Sequence, residues 1–118
     1  MALKHFNLKQ DPKMAGLDIK FLTLLDNART MADTPFKITS GVRTPAHSVE
    51  VGGTATDPHT KGIAADIACD NDEKQYLIVK GAIVAGIIGI GLGKGHVHLD
   101  IDPKRQRGII FVEKPYDR

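Results

Sequence analysis

The chain has no second cysteine: Cys69 stands alone, so no internal disulfide can tie the fold together, and a reducing compartment of synthesis suits it. It also has no long apolar run. Its most apolar stretch, Leu77 to Leu92, is broken by Lys80 and four glycines. That stretch falls short of the roughly 20 residues a membrane span requires, so membrane insertion is not expected. The opening MALKHFNLKQDPKM carries no apolar segment of the secretory kind. Synthesis in the cytoplasm is expected, with any route outward supplied by something else. No block of one charge stands out, since 16 Lys+Arg against 14 Asp+Glu leave a net charge of +2 of mixed signs. Nucleic acid is therefore not the default partner. Repeats, low-complexity tracts and linkers are absent as well. A chain of 118 residues is expected to form one domain over residues 1–118, with a real core but no room to divide, and to be a monomer.

What is present is periodic. Residues 17–32 place Leu17, Phe21, Leu24, Leu25, Ala28 and Met31 on one helical face, and Pro35 stops the pattern. Phe36 to Ser40 reads as a short strand, and Thr44 before Pro45 predicts a capped short helix running to about Val51. Gly52 to Gly62 is loop. Ile63 to Cys69 alternates an apolar face (Ile63, Ala65, Ile67, Cys69) with a small face bearing Asp66. Asp70 and Glu73 resemble a capping pair for a helix ending near Gly86. In His96 to Asp102, Val97, Leu99 and Ile101 alternate with His96, His98, Asp100 and Asp102, so the two sets face opposite ways. Pro103 ends that strand, and Gly108 to Val112 predicts a last one. The expectation is an α+β domain with a small, mainly antiparallel sheet and helices packed on it.

Three of the five histidines, His59, His96 and His98, lie near strand residues where carboxylates converge. Zinc takes imidazole nitrogen and carboxylate oxygen, and catalytic zinc keeps one position open for water. His59 sits in a loop seven positions before Asp66, a spacing that lets both reach one ion. If the strand of His98 pairs beside that of Asp66, a third ligand arrives on the same face. Two neutral imidazoles and one carboxylate would leave a divalent ion with a residual charge of about +1, enough to polarise a carbonyl and acidify water.

The segments Ser40-Gly41-Val42-Arg43-Thr44-Pro45, Val51-Gly52-Gly53, His59-Thr60-Lys61-Gly62-Ile63-Ala64-Ala65-Asp66-Ile67 and His96-Val97-His98-Leu99-Asp100 occur in order. Together they resemble the M15 family of zinc D-alanyl-D-alanine carboxypeptidases, especially the small M15A-like proteins of phages and prophages. The resemblance spans about residues 15 to 103. It implies a hedgehog/D-Ala-D-Ala-peptidase-like fold, a Zn2+ cofactor, and a peptidoglycan peptide as substrate. By the same resemblance the metal ligands fall on His59, Asp66 and His98. Arg43 falls on the arginine that holds substrate or polarises its carbonyl, with Ser40 beside it in the substrate-binding motif. His96 falls near the attacking water as a catalytic residue, and Asp100 on a carboxylate that orients an imidazole. The chain departs from the family pattern at Asp57, Val42 and Ser48, where serine, tyrosine and asparagine are usual. Those positions flank the cleft and bear on substrate preference.

Other readings stay open. Related phage enzymes cut L-alanyl-D-glutamate, and the same fold also serves as a non-catalytic zinc-containing binding module. Two histidines and a carboxylate also suit non-haem iron, but His98-Leu99-Asp100 has no later histidine to complete that pattern. His5 and His47 read as surface residues, Cys69 as core, and Lys104, Arg105 and Arg107 as a solvated turn. The glycines from Gly86 to Gly95 precede a strand and do not form a phosphate loop. A protein of this kind is expected to reach the cell wall through a separate membrane pore, as a phage or prophage lysis protein, or as part of a virion.

Overall fold

In the computed structural model, which describes residues 3–7 and 12–113, Asp18 opens the first helix by accepting from the Phe21 N–H. Helix α1 (Ile19–Ala32) buries Phe21, Leu22, Leu25, Ala28 and Ala32. Met31, expected on that face, is 49% exposed. It lies about a quarter turn off the line through Phe21, Leu25, Ala28 and Ala32. Strand β1 is shorter than expected (Ile38–Ser40), and helix α2 (Pro45–Glu50) is capped by Thr44, whose side chain accepts from the His47 N–H. The 52–62 loop tightens into a 3-10 turn at Pro58–Lys61.

Strand β2 (Ala64–Ala68) leads to helix α3 (Asp72–Ala85), which ends at Gly86 in the left-handed conformation. The cap of α3 is Asn71, accepting from the Lys74 N–H, and not the expected Asp70–Glu73 pair. The Cys69 N–H still bonds to the Gly95 carbonyl at 2.9 Å. The chain thus stays extended past β2, and the first residue free to cap lies further on. Strands β3 (Gly89–Gly93), β4 (His96–Asp100) and β5 (Ile109–Val112) complete the fold. Strand β3 was not foreseen, because a Gly-Ile-Gly-Leu-Gly segment has little strand propensity of its own.

The five strands form one sheet in the order β1-β2-β4-β3-β5. Every neighbouring pair is antiparallel except β3 with β5, which is parallel. The α+β architecture with a mainly antiparallel sheet is therefore as expected. Ala65, Ile67, Ile90, Leu92, Val97 and Leu99 join Phe21, Leu25, Ala28, Ile78 and Ala82 in one buried apolar cluster. Alternation along the strands then sends Asp66, His96, His98 and Asp100 to the other face, together with the three glycines of β3. The outermost ends of the expected 1–118 unit lie outside the described residues. Among the described residues no helix is long and apolar enough to cross a membrane.

Candidate metal centre

Register places the first two groups together. Asp66 of β2 sits directly opposite His98 of β4, and the His98 Nδ1 lies 3.2 Å from the Asp66 Oδ1. His59 arrives from the 3-10 turn, whose start is capped by the Asp57 side chain accepting from the Thr60 N–H. Its Nε2 lies 3.4 Å from the same Asp66 oxygen. The two imidazoles stand edge to face, with ring centroids 5.1 Å apart. All three side chains are buried. Ligands at the ~2.0–2.2 Å bond lengths of tetrahedral zinc lie about 3.3–3.5 Å from one another, close to these separations.

The second nitrogen of each imidazole is engaged so as to leave the facing one for a metal. The His59 Nδ1 is 2.9 Å from the Gly41 carbonyl, which can only accept, so Nδ1 carries the hydrogen and Nε2 is free to ligate. The His98 Nε2 is 2.6 Å from the Asp100 Oδ2, which likewise fixes the hydrogen there and leaves Nδ1 facing Asp66. Asp100 is fully buried and gripped by Arg105, whose Nε and Nη2 donate to its two oxygens at 2.8 and 2.9 Å. The residues thus fit a zinc ion in donor type, spacing and tautomer.

The charges are correspondingly tuned in the metal-free protein. Burial opposes ionisation of Asp66, but hydrogen bonds from His59 and His98 outweigh it and hold the carboxyl well below the usual range. Burial also opposes charge on His98, yet Asp100 and Asp66 raise its pKa to about 9. Burial of Asp100 is outweighed by Arg105 and His98, so it too stays ionised far into acid.

Around this trio opens a cleft of about 630 Å³. Arg43 lines it, with Nη2 3.3 Å from the Asp66 Oδ2 and Nε 3.0 Å from the Ser40 Oγ. Ser40 lies behind Arg43 and orients the guanidinium; it is not among the side chains lining the cleft. His96 also lines the cleft, but its Nε2 is 2.7 Å from the Glu113 Oε2, and that hydrogen bond raises its pKa above the ordinary imidazole value.

Two participants escaped the sequence reading. Arg105 is no member of a solvated turn: it is the counter-ion of Asp100, and it stacks over Phe111 with its Cζ 5.1 Å from the ring centroid. Glu113 sits one residue past β5, where nothing in its neighbours marks it. Only the pairing of β5 with β3 carries it to the cleft. His5 and His47 are exposed, Lys104 and Arg107 are exposed, and Cys69 is buried, as expected.

A family model described as Peptidase M15 matches residues 1–100. A search of curated proteins found no match. Among solved structures, the chain is similar to the Serratia marcescens L-Ala D-Glu endopeptidase ChiX, with a TM-score of 0.60 and 16% identity over 86% of this chain and 93% of that one. M15 peptidases are zinc-dependent, and the His59–Asp66–His98 group is able to bind such an ion. With a family model matching most of its length, and with a cleft that carries a zinc-compatible trio, the chain belongs to the M15 peptidases.

Proposed function

We propose that this peptidase hydrolyses the stem peptide of peptidoglycan, with zinc held by the His59 Nε2, the Asp66 Oδ1 and the His98 Nδ1, and that residues 1–118 act as one domain. The observation that carries the reading is the convergence of those three atoms within 4.8 Å of one another in a cleft that Arg43 and His96 also line. Zinc bound there supplies a Lewis acid for the scissile carbonyl and brings water toward a pKa of about 7. The chain's own groups divide the remaining work. Arg43, oriented by Ser40 and Asp66, offers positive charge to the substrate's carboxylate or to the oxyanion that develops on its carbonyl. Asp100 and Arg105 keep His98 in the ligating orientation. Proton transfer falls to the side of the cleft occupied by His96.

Two bonds in the stem fit this site. D-alanyl-D-alanine and L-alanyl-D-glutamate both place a D-residue with an α-carboxylate on the amine side of the scissile amide, so one arginine can serve either. The sequence resemblance favours the first, a carboxypeptidase reaction. The fold likeness to an L-Ala D-Glu endopeptidase favours the second. Mass spectrometry of digested muropeptides separates them: loss of terminal D-alanine marks the carboxypeptidase, and cleavage inside the stem marks the endopeptidase. The His98→Ala protein is expected to lose both bound zinc and activity. Arg43→Ala is expected to keep one zinc per chain and lose at least about 100-fold in turnover. Full activity in either variant would refute the assignment, and zinc-loaded protein that binds wall fragments without cutting them would make this a binding module. Delivery to the wall through a separate pore, as for a phage or prophage lysis protein, completes the reading.

A further inference from the structure

We infer that Glu113, brought in by β5, is the base that takes a proton from the attacking water, and that His96 is the residue that holds it in place. The inference rests on the peptidase reading above and assigns the proton acceptor of the same site. His96 is poorly disposed to take that proton itself, since its Nε2 is already engaged with the Glu113 Oε2 at 2.7 Å. The other carboxylate oxygen, Oε1, lies 3.8 Å from the His98 Nδ1, the atom that faces Asp66. A carboxylate oxygen therefore borders the trio at a distance one water can span. It is not a member of the trio: the mutually close sets are His59, Asp66 and His98 on the one hand, and Asp66, His96 and Glu113 on the other.

The sheet is built to seat this pair. The Glu113 N–H donates to the Leu92 carbonyl at 3.0 Å, extending the β3–β5 pairing by one bond. Beneath the two side chains β3 presents glycine. A Cβ on Gly93 would stand 2.3 Å from the His96 ring, and one on Gly91 would stand 2.8 Å from the Glu113 Oε1 and 2.7 Å from Phe111. Any other residue at either position would push the pair off its seat. Glu113 also lies past residue 100, outside the span that the family model matches.

In the step this assigns, the Glu113 Oε1 takes one proton from water while the water oxygen bonds to the carbonyl carbon. When the C–N bond breaks, that proton passes to the leaving nitrogen. The products are a carboxylic acid and an amine, and Glu113 returns to its ionised form. Asp66, His96 and Glu113 could instead hold a second cation, but Arg43 already places its charge 3.3 Å from Asp66.

The test compares wild-type, Glu113→Gln and Glu113→Ala proteins for zinc per chain, zinc affinity by chelator competition, and kcat and KM on purified muropeptides. One zinc per chain is expected in all three. In Glu113→Gln the zinc affinity and KM should be unchanged while kcat falls by about 10²–10⁴-fold. Added formate should restore part of the lost kcat to Glu113→Ala, which a merely structural role would not allow. Wild-type kcat in Glu113→Gln overturns the inference. So does loss of zinc from that variant, which would make Glu113 a ligand, and so does a wild-type stoichiometry of two. Wild-type protein that holds zinc but cleaves no muropeptide is a different result, since it sinks the peptidase reading and this assignment with it.

Discussion

Arg105 shares a turn with Lys104 and Arg107, and only one of the three side chains bears on the site. The other two are exposed, whereas Arg105 neutralises an aspartate that water does not reach. Removing it would leave Asp100 buried with His98 and the Asp102 N–H as its remaining partners. Arg105→Ala is therefore expected to lower stability by about 1–3 kcal/mol in urea unfolding. It should also weaken zinc binding by about 10–100-fold in chelator competition. Lys104→Ala and Arg107→Ala should change stability by no more than about 0.5 kcal/mol. No sequence signal separates these three cations, because the distinction is made by β4 lying alongside. Ser48 and Asp57 carry the same lesson. Each departs from the family pattern at a position read as bearing on substrate, yet the Ser48 hydroxyl donates to the Asp57 carboxylate. Asp57 in turn caps the turn that presents His59. The two departures are one hydrogen-bonded pair that shapes the loop.

Among the elements, α1, β2 and β4 were legible because their apolar residues recur with the period of the structure they adopt, and α3 through the capping residues at its start and Gly86 at its end. Strand β3 was not, since glycine at alternate positions leaves only Ile90 and Leu92 to signal a buried strand. Those glycines are needed for what lies above them, as Gly89 shows: a Cβ there would stand 2.1 Å from an Asp100 carboxylate oxygen. Gly81 of α3 meets a different constraint. A Cβ on it would lie 2.4 Å from the Ala28 carbonyl and 2.7 Å from the Ala32 Cβ, so the two helices touch through this residue. Alanine is the better helix former, and on propensity alone Gly81→Ala would stabilise the protein. Backbone cannot give way as a flexible side chain can, and a net loss of about 1–3 kcal/mol is expected instead. A thermal melt of metal-free protein would show it; a raised Tm would mean that the helices part without cost.

At the scale of the molecule, the trio joins a turn, β2 and β4, so an ion there ties together segments up to 39 positions apart, from His59 to His98. Zinc should accordingly raise Tm, and EDTA should remove the increment. The size of that increment depends on pH with a definite sign. In metal-free protein the His98 pKa is raised from 6.5 to about 9, so a proton held there stabilises the fold fully below about 6.5. That contribution is lost as pH rises through about 9. Zinc needs the same nitrogen unprotonated, so its affinity should climb by about tenfold per pH unit between those limits and level off above them. These are one effect seen from two sides, the proton that zinc must displace, and together they widen the gap between zinc-loaded and metal-free protein by about 1.4 kcal/mol per unit as pH rises from 6.5 to 9. Paired melts with zinc and with EDTA across that range would measure it, and a gap independent of pH would remove His98 from the ligand set.

The amino-acid sequence by itself determined the helices, the two strands that bear Asp66 and His98, and the residue types a zinc site requires. Those follow from local periodicity, from capping residues and from donor chemistry, which neighbouring residues carry with them. Only the tertiary structure decided that Arg105 secures Asp100, that Glu113 meets His96, and that a glycine-rich strand lies under them. The first and third follow from β3 and the turn after β4 packing against β4, and the second from β5 crossing to the far side of β3, all pairings set by the sheet as a whole.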